Sequence, residues 1–248
     1  MLARRRQEPV LTSEAPPRRP IRSFVRREGR ITRAQQRALD ELWPDLGLEP
    51  GSGYFDWGEV FGRRAPVTCE IGFGDGGALL QMAADDPDSD FVGVEVYRPG
   101  VGALLLRLEE AGLRNVRVAM VDAVDFLRDC VAPGSLDRLL VFFPDPWPKK
   151  RHHKRRLIQP AFVELAASRL VPGGRLHCAT DWEDYAHWMM QVLEGCPALE
   201  NTAGSGQFAP RPAYRPRTKY ERRGEGLGHG TWDLVYRRPE SGDRAPHL

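Results

Sequence analysis

From residue 67 onward, short β-branched runs alternate with helical segments, and no other feature narrows the fold as much. VTCEIGF (67–73), FVGVEV (91–96), NVRVAMVD (115–122), LDRLLVFF (136–143) and RLHCATD (175–181) read as strands. Helices are expected over 77–86, about 100–111, the stretch VDFLRDC, about 157–170 and 182–194. Such alternation implies βαβ units and a mostly parallel sheet. LDRLLVFF is apolar enough to be buried on both faces. TWDLVYRR (231–238) is a strand with no helix after it, so it is expected to join the sheet antiparallel. Ahead of the alternation, ITRAQQRALDELW (31–43) has apolar residues near helical spacing, and Trp43-Pro44 is expected to break that helix.

A chain of 248 residues suits one large α/β domain or two small ones. No apolar run approaches the roughly 18 residues of a membrane span. The basic N-terminus is not followed by the apolar core of a secretory signal. Cys69, Cys130, Cys178 and Cys196 are far apart with no C-x-x-C, which argues against zinc or a disulfide framework and for a reducing cytoplasm. Residues 1–20, rich in Arg and Pro, read as a disordered basic tail, and 21–248 as a single domain.

The net charge of +2 hides a segregation. Residues 1–37 carry a net +8, WPKKRHHKRR (147–156) +6 and RPAYRPRTKYERR (211–223) +5, which leaves −17 for the rest. A single such run is commonly a solvated loop. Three runs on an acidic body, two of them mixed with aromatic residues, suit a polyanion such as nucleic acid.

In a doubly wound sheet, ligands bind outside the carboxyl ends of the strands. The first strand runs into Glu70-Ile71-Gly72-Phe73-Gly74-Asp75-Gly76-Gly77. Gly72-x-Gly74-x-x-Gly77 fits a dinucleotide fingerprint, so the loop alone is ambiguous. Glu70 is not: an acid there repels a diphosphate and suits a cationic or amine-bearing cofactor. Glu95 ends the second strand at a position suited to a ribose diol. Asp122 ends the third, where it suits an adenine amino group or the N-cap of the next helix. The fourth strand ends in FFPDPWPKK, in which two prolines hold Asp145 off any helix. Trp147 suits stacking on a base or packing in the core, and the basic run after it suits phosphates.

These residues resemble the bacterial tRNA (guanine-N7)-methyltransferases of the TrmB type. The resemblance spans about 22–238 and rests on SFVRREGRITRAQ, EIGFGDGG, GVEVY, FFPDPWPKKRHHKRR, ATDWEDYAHWM and RPRTKYERRG…TWDL. It implies a Rossmann-like class I S-adenosylmethionine-dependent methyltransferase with seven strands. The implied product is 7-methylguanosine in the tRNA variable loop, at position 46. Glu70, Gly72, Gly74, Glu95, Asp122 and Asp145 match the cofactor site, and Asp145 also matches the catalytic residue. Lys149, Asp181, Thr218, Lys219, Tyr220 and Glu221 match substrate contacts. Arg151, His152, His153, Lys154, Arg155 and Arg156 match the RNA-binding segment. Asp75, Pro148 and His153 depart from the family's usual residues. No metal, membrane or obligate partner subunit is implied, and a monomer or homodimer is expected.

Guanine N7 carries an in-plane lone pair and no proton, so its methylation needs alignment rather than a base. A fixed carboxylate can stabilise the positive charge that passes to the purine, a role expected of Asp145. Asp181 suits the same guanine edge or a helix cap, and Glu221 suits the edge or a salt bridge to Arg222 or Arg223. An NAD-dependent oxidoreductase would share the glycine loop and Glu95, but Glu70 and the basic runs disfavour it. A non-catalytic RNA-binding module leaves four strand-end acids unexplained. A methyltransferase for a small molecule or a protein has no use for PKKRHHKRR.

Overall fold

The computed structural model describes residues 29–217, 221 and 230–240. The basic tail over 1–20 and the segment Thr218, Lys219 and Tyr220 lie outside the described residues.

Six of the strands match those read from the sequence: β2 (Val67–Ile71), β3 (Asp90–Val94), β4 (Val116–Ala119), β5 (Leu136–Phe142), β6 (Leu170–Thr180) and β8 (Trp232–Arg237), although β6 starts at Leu170 rather than 175 and takes in Pro172-Gly173-Gly174. Two-residue strands, β1 (Gly47–Leu48) and β7 (Glu200–Asn201), add to these. Among the described residues the sheet therefore has eight strands rather than seven, in the order β1-β4-β3-β2-β5-β6-β8-β7. β8 pairs antiparallel with β6 and β7, and the other pairings are parallel. From β2 the chain winds outward through β3 and β4, then crosses to β5 on the other side. The carboxyl ends of β2 and β5 thus flank a topological switch point, where such sheets bind ligands.

The helices are α1 (Arg33–Glu41), α2 (Trp43–Leu46), α3 (Trp57–Phe61), α4 (Gly77–Asp85), α5 (Arg98–Ala111), α6 (Ala123–Cys130), α7 (Pro160–Arg169) and α8 (Glu183–Glu194). α1 starts where a capping box closes it: the Thr32 hydroxyl accepts from the Gln35 amide, and the Gln35 side chain accepts from the Thr32 amide. α1 ends at Glu41, just ahead of Trp43-Pro44 as expected, and Pro44 then sits in the first turn of α2, where a missing N–H costs nothing.

Side chains alternate across each strand, so the sheet divides the core into two layers. Cys69, Ile71, Leu139 and Val141 pack with Phe126, Phe162, Tyr185 and Met189 of α6, α7 and α8. Leu140 and Phe142 face the other way, with Leu39, Leu79, Met82, Leu104 and Leu105 of α1, α4 and α5. Glu70 lies on β2 between Ile71 and Cys69, opposite Gly93 on β3 and Leu140 on β5. The parity that buries Cys69 and Ile71 on one face aims Glu70 at the other. All four cysteines are buried and free.

Candidate active site

β2 delivers Glu70 into the interior and then turns sharply. Gly72, Gly74 and Gly76 all have positive φ, at 73°, 62° and 76°. A side chain on Gly76 would also collide with Leu104. The fingerprint glycine at 77 is an ordinary first helical residue of α4, and Gly76, outside the fingerprint, takes the left-handed N-cap position. Asp75 is tied down: its Oδ1 accepts from the Gly77 amide, and Arg107 donates to its carbonyl oxygen at 2.6 Å.

Glu95, just beyond β3, holds this loop. Its Oε2 accepts from the Gly74 amide at 2.9 Å, and its Oε1 from the Val96 and Tyr97 amides at 2.7 and 2.9 Å. Asp122 is the N-cap of α6, and its Oδ1 accepts from the Val124 and Asp125 amides. The two carboxylates therefore have structural duties beside the strand ends to which they were expected to bring a ligand.

Glu70 differs. It is buried, and its Oε2 has no hydrogen-bond partner. Burial, then the charges of Glu95 and Asp75, push its carboxyl up to about 8. An unpartnered buried carboxyl costs stability unless something cationic meets it. It lines a cleft of about 700 Å³ together with Gly72, Gly74, Asp145, Asp181 and Arg217. The ammonium of an S-adenosylmethionine amino acid moiety fits this orphan oxygen, and the open glycine turn fits close approach of the same molecule.

The far wall comes from the end of β5. Phe143 and Trp147 have positive φ, at 52° and 44°, and bracket Pro144-Asp145-Pro146. Bulky residues adopt that conformation only where their surroundings impose it. Asp145 is exposed and lines the cleft. Asp181, from the end of β6, lines it too. It is not a helix cap: the Thr180 hydroxyl accepts from the Trp182 amide, and α8 has no side-chain cap bond.

The basic run after Asp145 forms a 3-10 turn over Lys150–Arg155, with Lys149 exposed at its N-cap. Arg151 and Lys154 are exposed, while His152 and His153 are half-buried. Partial burial and the cations around it, Arg151 and Lys149 foremost, hold the His152 imidazole below its ordinary range. Arg155 stacks on Trp147 with its guanidinium 3.9 Å from the ring centre. Arg156 departs from its expected place among the RNA contacts. It is 2% exposed and donates from Nε to the Pro146 carbonyl oxygen at 2.9 Å. It also pairs with Asp184, whose carboxyl it holds below the usual carboxylate range, and lies over the rings of Tyr185 and Trp188.

Glu221 departs as well. Expected at the guanine edge or beside Arg222 or Arg223, it is buried and accepts two bonds from Arg215, at 2.8 and 2.9 Å. Arg215 donates two more to Asp233 on β8, at 2.6 and 2.8 Å. His177 on β6 lies 2.7 Å from Asp233 and 3.0 Å from the Tyr214 hydroxyl. Burial works against the charge on Arg215, yet its two carboxylate partners raise its pKa. Sequence reading missed Arg215, Arg217 and Gly76. The first two sat inside the quoted RPRTKYE run, but nothing in the run itself separates the buried arginine from the one at the cleft.

Over residues 64–234 the chain matches a family described as putative methyltransferase. A tRNA (guanine-N(7)-)-methyltransferase of Methylococcus capsulatus is 60% identical over 229 residues, 92% of this chain and 98% of the relative. One from Pseudomonas aeruginosa is 58% identical over 225 residues, 91% of this chain and 92% of the relative. Among solved structures, the 16S rRNA methyltransferase KamB aligns with a TM-score of 0.56 at 12% identity, covering 75% of this chain and 94% of that one. That likeness concerns the fold. With its cleft, orphan carboxyl and matched relatives taken together, the chain belongs to the tRNA (guanine-N7)-methyltransferase family.

Proposed function

We propose that this chain transfers the methyl group of S-adenosylmethionine to N7 of guanine in tRNA, at position 46 of the variable loop. One observation carries the reading. Glu70, whose buried Oε2 has no partner, lines the same cleft as Asp145 and Asp181, and the cationic turn Lys150–Arg155 follows five residues after Asp145.

The cofactor, when bound, supplies an electrophilic methyl on a sulfonium sulfur. Glu70 would hold its ammonium. Glu95 and Asp122 would take the ribose and the adenine, in addition to the backbone amides from which they already accept. Asp145 would accept from the N1–H and N2 amino edge of the guanine and so hold N7 toward the methyl donor. The same contact rejects adenine, which lacks the N2 amino group. As positive charge passes to the purine, the fixed Asp145 carboxylate stabilises it. Asp181 shares that edge. Lys149, Arg151, Lys154 and Arg155 neutralise phosphates, with His152 and His153 as further contacts of the turn. Thr218, Lys219 and Tyr220 complete the substrate side by resemblance to the family. Glu221 serves by holding Arg215.

Among the described residues no helix is long and apolar enough to cross a membrane, and no cluster suited to a metal ion occurs. A cytoplasmic monomer or homodimer that works without a partner subunit agrees with this reading. The test is transfer of labelled methyl to unmodified tRNA, followed by nucleoside analysis. Label in 7-methylguanosine supports the proposal, and label in any other nucleoside refutes it.

A further inference from the structure

A guanine that reaches this cleft has to leave its stack in the tRNA, and unstacking is costly unless the protein offers a surface in exchange. The aromatic rings around the cleft are mostly engaged. Phe142 is buried. Trp147 was the expected platform, but Arg155 covers its face and His152 meets its edge. Tyr97 packs so closely on the backbone at Gly29 that a methyl group there would lie 2.2 Å from its hydroxyl.

Trp182 is different. It is 40% exposed, and among the described residues no ring or cation stacks on its indole. A lone exposed tryptophan needs no explanation by itself; its position does. It directly follows Asp181, which lines the cleft, without lining the cleft itself. Two residues later Asp184 pairs with Arg156, which holds the Pro146 carbonyl beside Asp145. Trp182 thus lies in the chain between Asp181, which lines the cleft, and Asp184, which is tied to the end of the basic turn. Its backbone is fixed at both ends: its amide donates to the Thr180 hydroxyl at 3.2 Å, and its carbonyl accepts from Ala186 at 2.9 Å. An exposed indole on a fixed backbone, next in the chain to a residue of the cleft, suits stacking on a base.

We propose that Trp182 stacks on the base of a nucleotide flanking the target guanine, as a further RNA-binding residue of this enzyme. The inference rests on the tRNA reading above. Base–aromatic stacking accepts any base, so Trp182 adds affinity and placement rather than sequence choice.

The experiment compares wild type, Trp182→Ala and Trp182→Phe on unmodified tRNA, and on tRNA carrying 2-aminopurine at either flanking nucleotide. Trp182→Ala should raise KM and Kd for tRNA about ten-fold, within the span expected for one stacked base. It should leave S-adenosylmethionine affinity within about two-fold, and Trp182→Phe should recover most of the loss. Wild type should quench 2-aminopurine at one flanking position, and Trp182→Ala should relieve that quenching. Unchanged tRNA affinity in Trp182→Ala, or no quenching at either position, overturns the proposal. Parallel loss of S-adenosylmethionine binding and thermal stability without rescue by Phe marks a structural role and overturns it as well. Wild type that forms no 7-methylguanosine would instead sink the underlying functional reading.

Discussion

Arg156 donates to the carbonyl oxygen of Pro146, the residue after Asp145, from a position sealed under Tyr185 and Trp188. The last arginine of a cationic run thus braces the loop that presents Asp145. It is anchored in turn by Asp184 at the start of α8. Two strand ends, those of β5 and β6, are thereby held at a fixed spacing across the cleft.

Arg156→Met should act on placement, not on RNA charge. A displacement of Asp145 by about 1 Å can cost on the order of 10²-fold in rate. We expect kcat to fall by about that factor, with the salt dependence of tRNA binding unchanged. Steady-state kinetics and binding isotherms across ionic strength check both halves. A flattened salt slope would return Arg156 to the phosphate contacts.

Its neighbours should behave in the opposite way. Arg151 and Lys154 are exposed, so replacing both with Ala should weaken tRNA binding across sequences. The log–log salt slope should drop by about one for each phosphate contact removed. Binding of S-adenosylmethionine should not change. A slope that stays put would place the RNA on another face.

The contrast between Arg155 and Arg156 shows where sequence stops being informative. The run KKRHHKRR announces charge, and its place after Asp145 announces a site. Which arginine turns inward depends on Asp184, 28 residues further on, and on two rings of α8. Glu221 and Arg215 repeat the lesson, since Asp233 lies 18 residues beyond Arg215, on β8. Glu70 was legible for the opposite reason. An acid inside an apolar strand, two residues before a glycine turn, has no outward face to escape to. The two-residue strands β1 and β7 were illegible because two residues carry no period.

Asp145→Asn should leave S-adenosylmethionine binding within a modest factor, because Glu70 remains. Transfer should fall by about 10²–10³-fold, the scale for losing one oriented electrostatic contact to the transition state. Single-turnover rates together with cofactor titration test this. Near-normal turnover would remove Asp145 from catalysis.

Glu70 predicts a proton signal. Its folded pKa of about 8 lies above the ordinary carboxylate value, so near pH 7 the ligand-free protein holds it largely protonated. A cationic ligand favours the carboxylate, so binding at pH 7 should release a proton, and release should fade above pH 9. Calorimetry in buffers of different ionisation enthalpy measures it. The sign for stability follows. A raised carboxyl pKa favours folding less and less as pH climbs from the ordinary value toward 8. Ligand-free Glu70→Gln should therefore be more stable than wild type at pH 9, and the gap should close on acidification. A pH-independent gap would mean that Glu70 is not the titrating group.

The last prediction separates two roles for Glu221. If it grips Arg215, as the paired bonds at 2.8 and 2.9 Å indicate, Glu221→Ala leaves a buried guanidinium half-compensated. Breaking a buried pair in this way costs about 3–5 kcal/mol. The retained contact with Asp233 favours the lower end. Arg215→Met should cost more, since it strands Glu221 and Asp233 together. The double variant should cost less than the sum of the two, with a coupling of about 0.5–3 kcal/mol. Denaturant titrations of the three variants close this cycle. If Glu221 instead read the guanine edge, Glu221→Ala would lower kcat/KM and leave stability untouched, and the cycle would show no coupling.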